Sequence, residues 1–137
     1  MSSRWESALT EALSPSWSRR VRAGRDLASF SHVPEAAEAL VRLLLDAGDT
    51  AVTRQTSEAL ARVGTVASVR LLALAIAGAD DSQADWMETG VQDALVETDG
   101  APDLATVCGH LGRDSEAAVR RGAAEILAWT DDRPGPP

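Results

Sequence analysis

The chain has no lysine and no tyrosine, one phenylalanine, one cysteine and two histidines in 137 residues. Each shortage removes a class of function. A single cysteine, Cys108, permits no internal disulfide and gives secretion no support. It lies between Val107 and Gly109 on an apolar face, where a small buried residue is expected rather than a nucleophile. His32 and His110 have no Cys, His or carboxylate at ligand spacing, so no metal site is expected. Asp80, Asp81 and Asp85 lack the EF-hand spacing and its closing Glu. The sequence contains no Gly-rich phosphate loop, His-x-x-x-His, Cys-x-x-Cys or Gly-x-Ser-x-Gly. The expectation is a protein that is not an enzyme, with no catalytic residues, no metal and no cofactor.

Long hydrophobic runs are also missing. The longest lies around residues 71–77, too short to span a bilayer. The opening M-S-S-R-W-E-S carries charges and no apolar h-region, so no signal peptide is expected and the cytoplasm is the default location. The 13 basic residues are all arginine, which reads as codon bias in a GC-rich, bacterial genome. Against them stand 21 acidic residues, a net charge of −8 and a pI near 4.6. That balance argues against nonspecific nucleic-acid binding and against anionic membranes, and it favours a cationic partner.

What the sequence has is a repeated stripe. Val52, Thr56, Ala59, Leu60 and Val63 fall on one face of a helix over residues 49–64. The stripe returns as Met87, Val91, Ala94, Leu95 and Thr98, and again as Val119, Ala123, Ile126, Leu127 and Thr130. The anchors Leu27, Leu60, Leu95 and Leu127 are 33, 35 and 32 residues apart, a period typical of stacked helical hairpins. Second helices fill the spaces over residues 34–47, 66–77 and 102–111. Neither helix of such a unit can bury its stripe alone, so neighbouring units share a core.

The wording of the unit resembles the HEAT-like repeat, in the short form of the phycobilisome lyases. Val52-x-Arg54 followed by Glu58-Ala59-Leu60-x-x-Val63-Gly64 carries the resemblance. Val119-Arg120-Arg121-x-Ala123-Ala124-Glu125-Ile126-Leu127 carries it again, and Val21-Arg22-x-Gly24-x-x-Leu27-Ala28 is a worn copy. Residues 82–99 keep only the stripe, and the whole covers about residues 15–130. Arg19 and Asp26 stand where the stripe expects apolar residues, as in an atypical terminal repeat. Tetratricopeptide and armadillo arrangements are the structural rivals, and the first is disfavoured, since its Trp/Gly/Tyr pattern is missing. The resemblance implies an all-α fold, a right-handed α-solenoid of about four hairpins and eight helices. Length suits one domain, over residues 1–130, and the polar, Pro-rich tail, D-D-R-P-G-P-P, over 131–137 is expected to be disordered. Families of this kind mostly present binding surfaces, and a few members act on nucleic acid or bilin.

Local signals place the ends of the helices. Ser3-x-x-Glu6 and Ser82-x-x-Asp85 read as capping boxes. Ser14-Pro15 reads as cap and first helical residue, Pro34 and Pro102 as openers, and Asp49, Thr65 and Ser115 as caps. Gly48, Gly64, Gly100 and Gly112 read as stops, and 78–81 as the longest turn. Helix 66–77 is apolar nearly all round and is expected at the centre. If it faced solvent, it would line a ligand groove of the lyase type. If buried, it would be plain scaffold.

Charge supplies the functional hypothesis. No Arg or Lys occurs from 71 to 112, a span that holds eight acidic residues. On helix 82–98, Asp85, Glu88 and Gln92 flank one side of the stripe, and Trp86 flanks the other with Asp93 and Glu97. With Asp81, these residues (Asp81, Asp85, Trp86, Glu88, Gln92 and Asp93) are the candidate docking surface for a basic protein, charge steering the encounter and Trp86 anchoring it. The plain alternative is a solvated face. A second candidate is the basic patch of Trp17, Arg19, Arg20, Arg22 and Arg25. It would suit nucleic acid or head-to-tail self-association, or pair with Glu6 and Glu11. Burial is the default for Trp5, Trp17, Trp86 and Trp129, with Trp17 and Trp86 the two placed to be exposed anchors. The expected function is protein binding by a monomer or weak self-associate. An immunity or inhibitor protein against a cationic toxin or nuclease is one alternative. A lyase-type or nucleic-acid-acting protein is the other.

Overall fold

The first amides of a helix have no acceptor inside it, and in this chain side chains supply one. The computed structural model describes residues 4–97 and 103–131. These form eight α-helices and one short 3-10 turn, and no strand occurs among the described residues. After α1 (Arg4–Glu11), Ser16 caps α2 (Trp17–Leu27), its hydroxyl accepting from the Arg19 amide at 3.5 Å. The expected start at Ser14-Pro15 is corrected, because the Ser14 hydroxyl accepts from the Ser16 amide at 3.1 Å and holds these residues in the turn. A 3-10 turn, Ala28–Phe30, leads to α3 (Pro34–Leu44), where Pro34 costs no hydrogen bond in the first turn. Helix α3 stops short of the expected Gly48. The Asp46 carboxylate accepts the amides of Gly48 at 3.0 Å and Asp49 at 2.8 Å, turning the chain early.

Asp49 caps α4 (Thr50–Val63) through the Ala51 amide at 2.8 Å, and Gly64 ends it with φ of 64°, a conformation that favours glycine. Thr65 caps α5 (Val66–Gly78). This helix continues through Gly78, so only Ala79 and Asp80 connect it to α6 (Asp81–Glu97), not the longer turn expected at 78–81. The capping box there is Asp80 with Gln83, each side chain accepting the other's amide at 2.7 and 3.0 Å, rather than Ser82 with Asp85. Asp103 caps α7 (Leu104–Leu111). Helix α8 (Ala117–Asp131) begins two residues past Ser115, after the Asp114 carboxylate has taken the Glu116 amide at 2.9 Å. The readings at Ser3, Thr98, Gly100, Pro102 and the tail from 132 lie outside the described residues.

The stripes face inward. Val52, Thr56 and Leu60, then Met87, Val91, Ala94 and Leu95, then Val119, Ala123 and Ile126 are all buried. Each fully buried leucine, such as Leu27, Leu60 or Leu72, contributes about 2 kcal/mol of burial. Contacts run from α2 to α4 to α6, and separately from α3 to α5 to α7. Helix α8 departs from the alternation: it packs extensively on α5 and only lightly on α6. Two glycines set these seams. A Cβ on Gly90 of α6 would stand 2.3 Å from the Arg54 carbonyl oxygen of α4. A Cβ on Gly122 of α8 would stand 2.0 Å from the Ala73 carbonyl oxygen of α5. In both places the backbones approach too closely for any side chain.

Candidate partner-binding surface

Helix α6 has three flanks. Met87, Val91 and Leu95 form its buried one. A second meets α4. There the Ser57 hydroxyl donates to the Met87 carbonyl at 2.7 Å, and the Arg54 guanidinium pairs with Asp93 at 2.7 Å. Trp86 lies on this flank, 36% exposed, over a small cleft it shares with Asp46, Asp49, Thr53 and Asp80. Asp93 is therefore already engaged by a cation. Both partners are substantially exposed, so the pair contributes little to stability.

The third flank turns away from α4. Asp81 and Ala84 look toward α8 across a groove. Asp85 and Glu88 follow one helical turn on, and the Gln92 side-chain amide donates to the Glu88 carboxylate at 3.3 Å. Asp81 and Asp85 are exposed. The six candidate residues thus do not share one face: Asp81, Asp85, Glu88 and Gln92 lie together, while Trp86 and Asp93 belong to the α4 seam.

The groove itself was not anticipated from the sequence. It has a volume of about 630 Å³, with Ile76, Ala77 and Ala79 at its floor, Asp81 and Ala84 on the α6 wall, and Arg121, Ala124, Glu125 and Ala128 on the α8 wall. Gly90 and Gly122 carried a partial signal, since a glycine inside a helix can have a packing reason, but Gly78 and Gly109, also within helices, have open space beside them.

The basic patch is divided as well. Arg20 is largely buried, its Nε donating to Asp46 at 3.0 Å and one terminal nitrogen to the Ser14 carbonyl at 2.9 Å. Its acidic partner is Asp46, rather than the Glu6 or Glu11 of the pairing alternative, and it pins α2 to the α3–α4 turn. Arg25 donates to Gln55 on α4. Arg19 and Arg22 are exposed, as is Trp17 at 52%. The default of burial is corrected for Trp17 and for Trp86. It holds for Trp129, and Trp5 is half-buried against the core.

Other reactive groups are quiet. Cys108 is buried, and burial pushes its thiol up to about 11, the reverse of what activates a nucleophile. His32 and His110 are exposed. No cluster of three or more His, Cys, Asp or Glu placed to hold a metal ion occurs among the described residues. No helix among them is long and apolar enough to cross a membrane. Elsewhere, Arg70 on α5 pairs with Asp114 at 2.9 Å and Glu116 at 3.1 Å in the turn before α8. The hydrogen bond from Arg70 is the main cause that holds the Asp114 carboxyl below its ordinary range.

Comparison with protein-family models, with curated proteins and with solved structures finds no match.

Proposed function

We propose that the chain is a non-enzymatic HEAT-like α-solenoid of about four hairpins that docks a basic protein through the acidic flank of α6. The alternating contacts of α2, α4 and α6 with one another, and of α3, α5 and α7, support the solenoid reading. The observation that carries the functional reading is the flank itself. Asp81 and Asp85 stand exposed on the side away from α4, in a stretch of 42 residues, 71–112, that contains no cation. Exposed carboxylates of like sign steer and orient a cationic partner. A neutralising role against a cationic toxin or nuclease is a specific form of this reading. The burial of Ser68, Val69, Leu71, Leu72, Ala73 and Ala75 leaves only the last turn of α5, at Ile76 and Ala77, in contact with a groove, which weighs against a ligand groove lined along the second helices.

The test is affinity capture from lysate of the cells that make the protein. The baits are wild type and the double variant Asp85→Arg/Glu88→Arg, each at low and high salt. A basic protein that wild type retains, that high salt weakens and that the variant loses is the expected result. Equal retention by both baits would overturn the assignment of function to α6.

A further inference from the structure

We propose that the groove between α6 and α8 is the seat of a basic amphipathic α-helix contributed by the partner. This rests on the reading of α6 as the docking flank and names what docks there. The groove exists because α6 and α8 are each held elsewhere. Gly90 locks α6 onto the Arg54 backbone of α4, and Gly122 locks α8 onto the Ala73 backbone of α5. The two helices therefore touch only lightly, and the end of α5 is left as a floor between them.

The lining states what can fill it. Ala84, Ala124 and Ala128 wall a space of about 630 Å³, and none of them reaches far into it. The volume must come from the occupant's own large apolar side chains. Two helical walls over a short floor suit a third helix with apolar residues at i, i+3, i+4 and i+7. The rims add the sign of charge. Asp81 lines the α6 wall and Glu125 the α8 wall, while Asp85 and Glu88 continue the acidic flank of α6 beyond the lining, one and two turns on from Asp81. Arg121 is the one cation among the lining residues. An apolar helix with acidic flanks would meet repulsion and one with neutral flanks would gain no attraction, whereas one flanked by Lys or Arg is drawn in.

The experiment uses two fluorescein-labelled peptides, each about five helical turns long. One is a Leu/Lys amphipathic helix, and the other has the same charge with every Leu replaced by Gln. Both are titrated by fluorescence anisotropy into wild type, Ala124→Phe and Asp85→Arg/Glu88→Arg. The Phe fills the groove from an exposed wall position, and unchanged far-UV helicity confirms the fold. The expected result is tight binding of the amphipathic peptide alone, weakened about tenfold or more by Ala124→Phe and by the charge swap. Equal affinity for the two peptides, or indifference to Ala124→Phe, would overturn the groove assignment while leaving the acidic flank standing if the charge swap still weakens binding. Binding that ignores the charge swap, or no binding of either peptide, would overturn both.

Discussion

One flank of α6 is closed against α4 and the other is open toward α8, although both belong to the same helix. Toward α4, backbone meets backbone at Gly90, the Ser57 hydroxyl reaches the Met87 carbonyl, and Arg54 neutralises Asp93. Toward α8 the contact is light, and Asp81 and Ala84 face a groove instead. The same contrast runs through the charges. An Arg on the helix opposite turns Asp93 into part of a seam, while Asp85 stays exposed. Whether a charged residue serves structure or binding is decided by the element across from it, not by its neighbours in sequence. The basic patch of α2 teaches the same lesson with the sign reversed. Arg20, adjacent to exposed Arg19, is a structural clamp on Asp46.

The strongest way to break the comparison is to deny a seam its closest approach. Gly90→Ala and Gly122→Ala each gain about 1 kcal/mol of helix propensity. The new Cβ would nevertheless overlap a backbone oxygen that has no rotamer to escape through. Each variant is therefore expected to lose about 3 kcal/mol net, near the upper end for overpacking, measured by urea denaturation. A gain in stability at either site would show that the helices separate freely and that the seams are not fixed.

A smaller effect is expected from Ser57→Ala. It removes a buried bond to the Met87 carbonyl and should cost about 1 kcal/mol in the same assay. The smallest concerns Arg54 and Asp93. A double-mutant cycle with Arg54→Ala and Asp93→Ala should give a coupling of about 0.5 kcal/mol that fades at high salt. A coupling several times larger would mean that this exposed pair holds the seam, and the contrast between the flanks would then be electrostatic rather than steric.

Much of the fold was legible because local physics sets it. The stripe from Val52 to Leu60 predicted which face is buried, and Asp49, Gly64 and Thr65 act where cap chemistry requires an acceptor or a left-handed residue. Boundaries failed where two candidates competed. Ser16 displaced Ser14, and Asp46 ended α3 before Gly48 could. The site was less legible, because it depends on what stands across from each residue. Nothing local told Asp93, with Arg54 opposite, from Asp85. The departure of α8 toward α5 depends on Gly122 meeting Ala73, a pairing 49 residues apart in sequence that only the fold brings together.

The most direct test of the central claim is calorimetric titration of the captured partner into three proteins at two salt concentrations. These are wild type, Asp85→Arg/Glu88→Arg, and Arg19→Glu/Arg22→Glu. The account predicts that the α6 variant loses about tenfold or more in affinity, that high salt weakens wild-type binding, and that the α2 variant binds as wild type does. Binding that survives the α6 change and is lost with the α2 change would contradict it, placing function on the basic pole of the molecule.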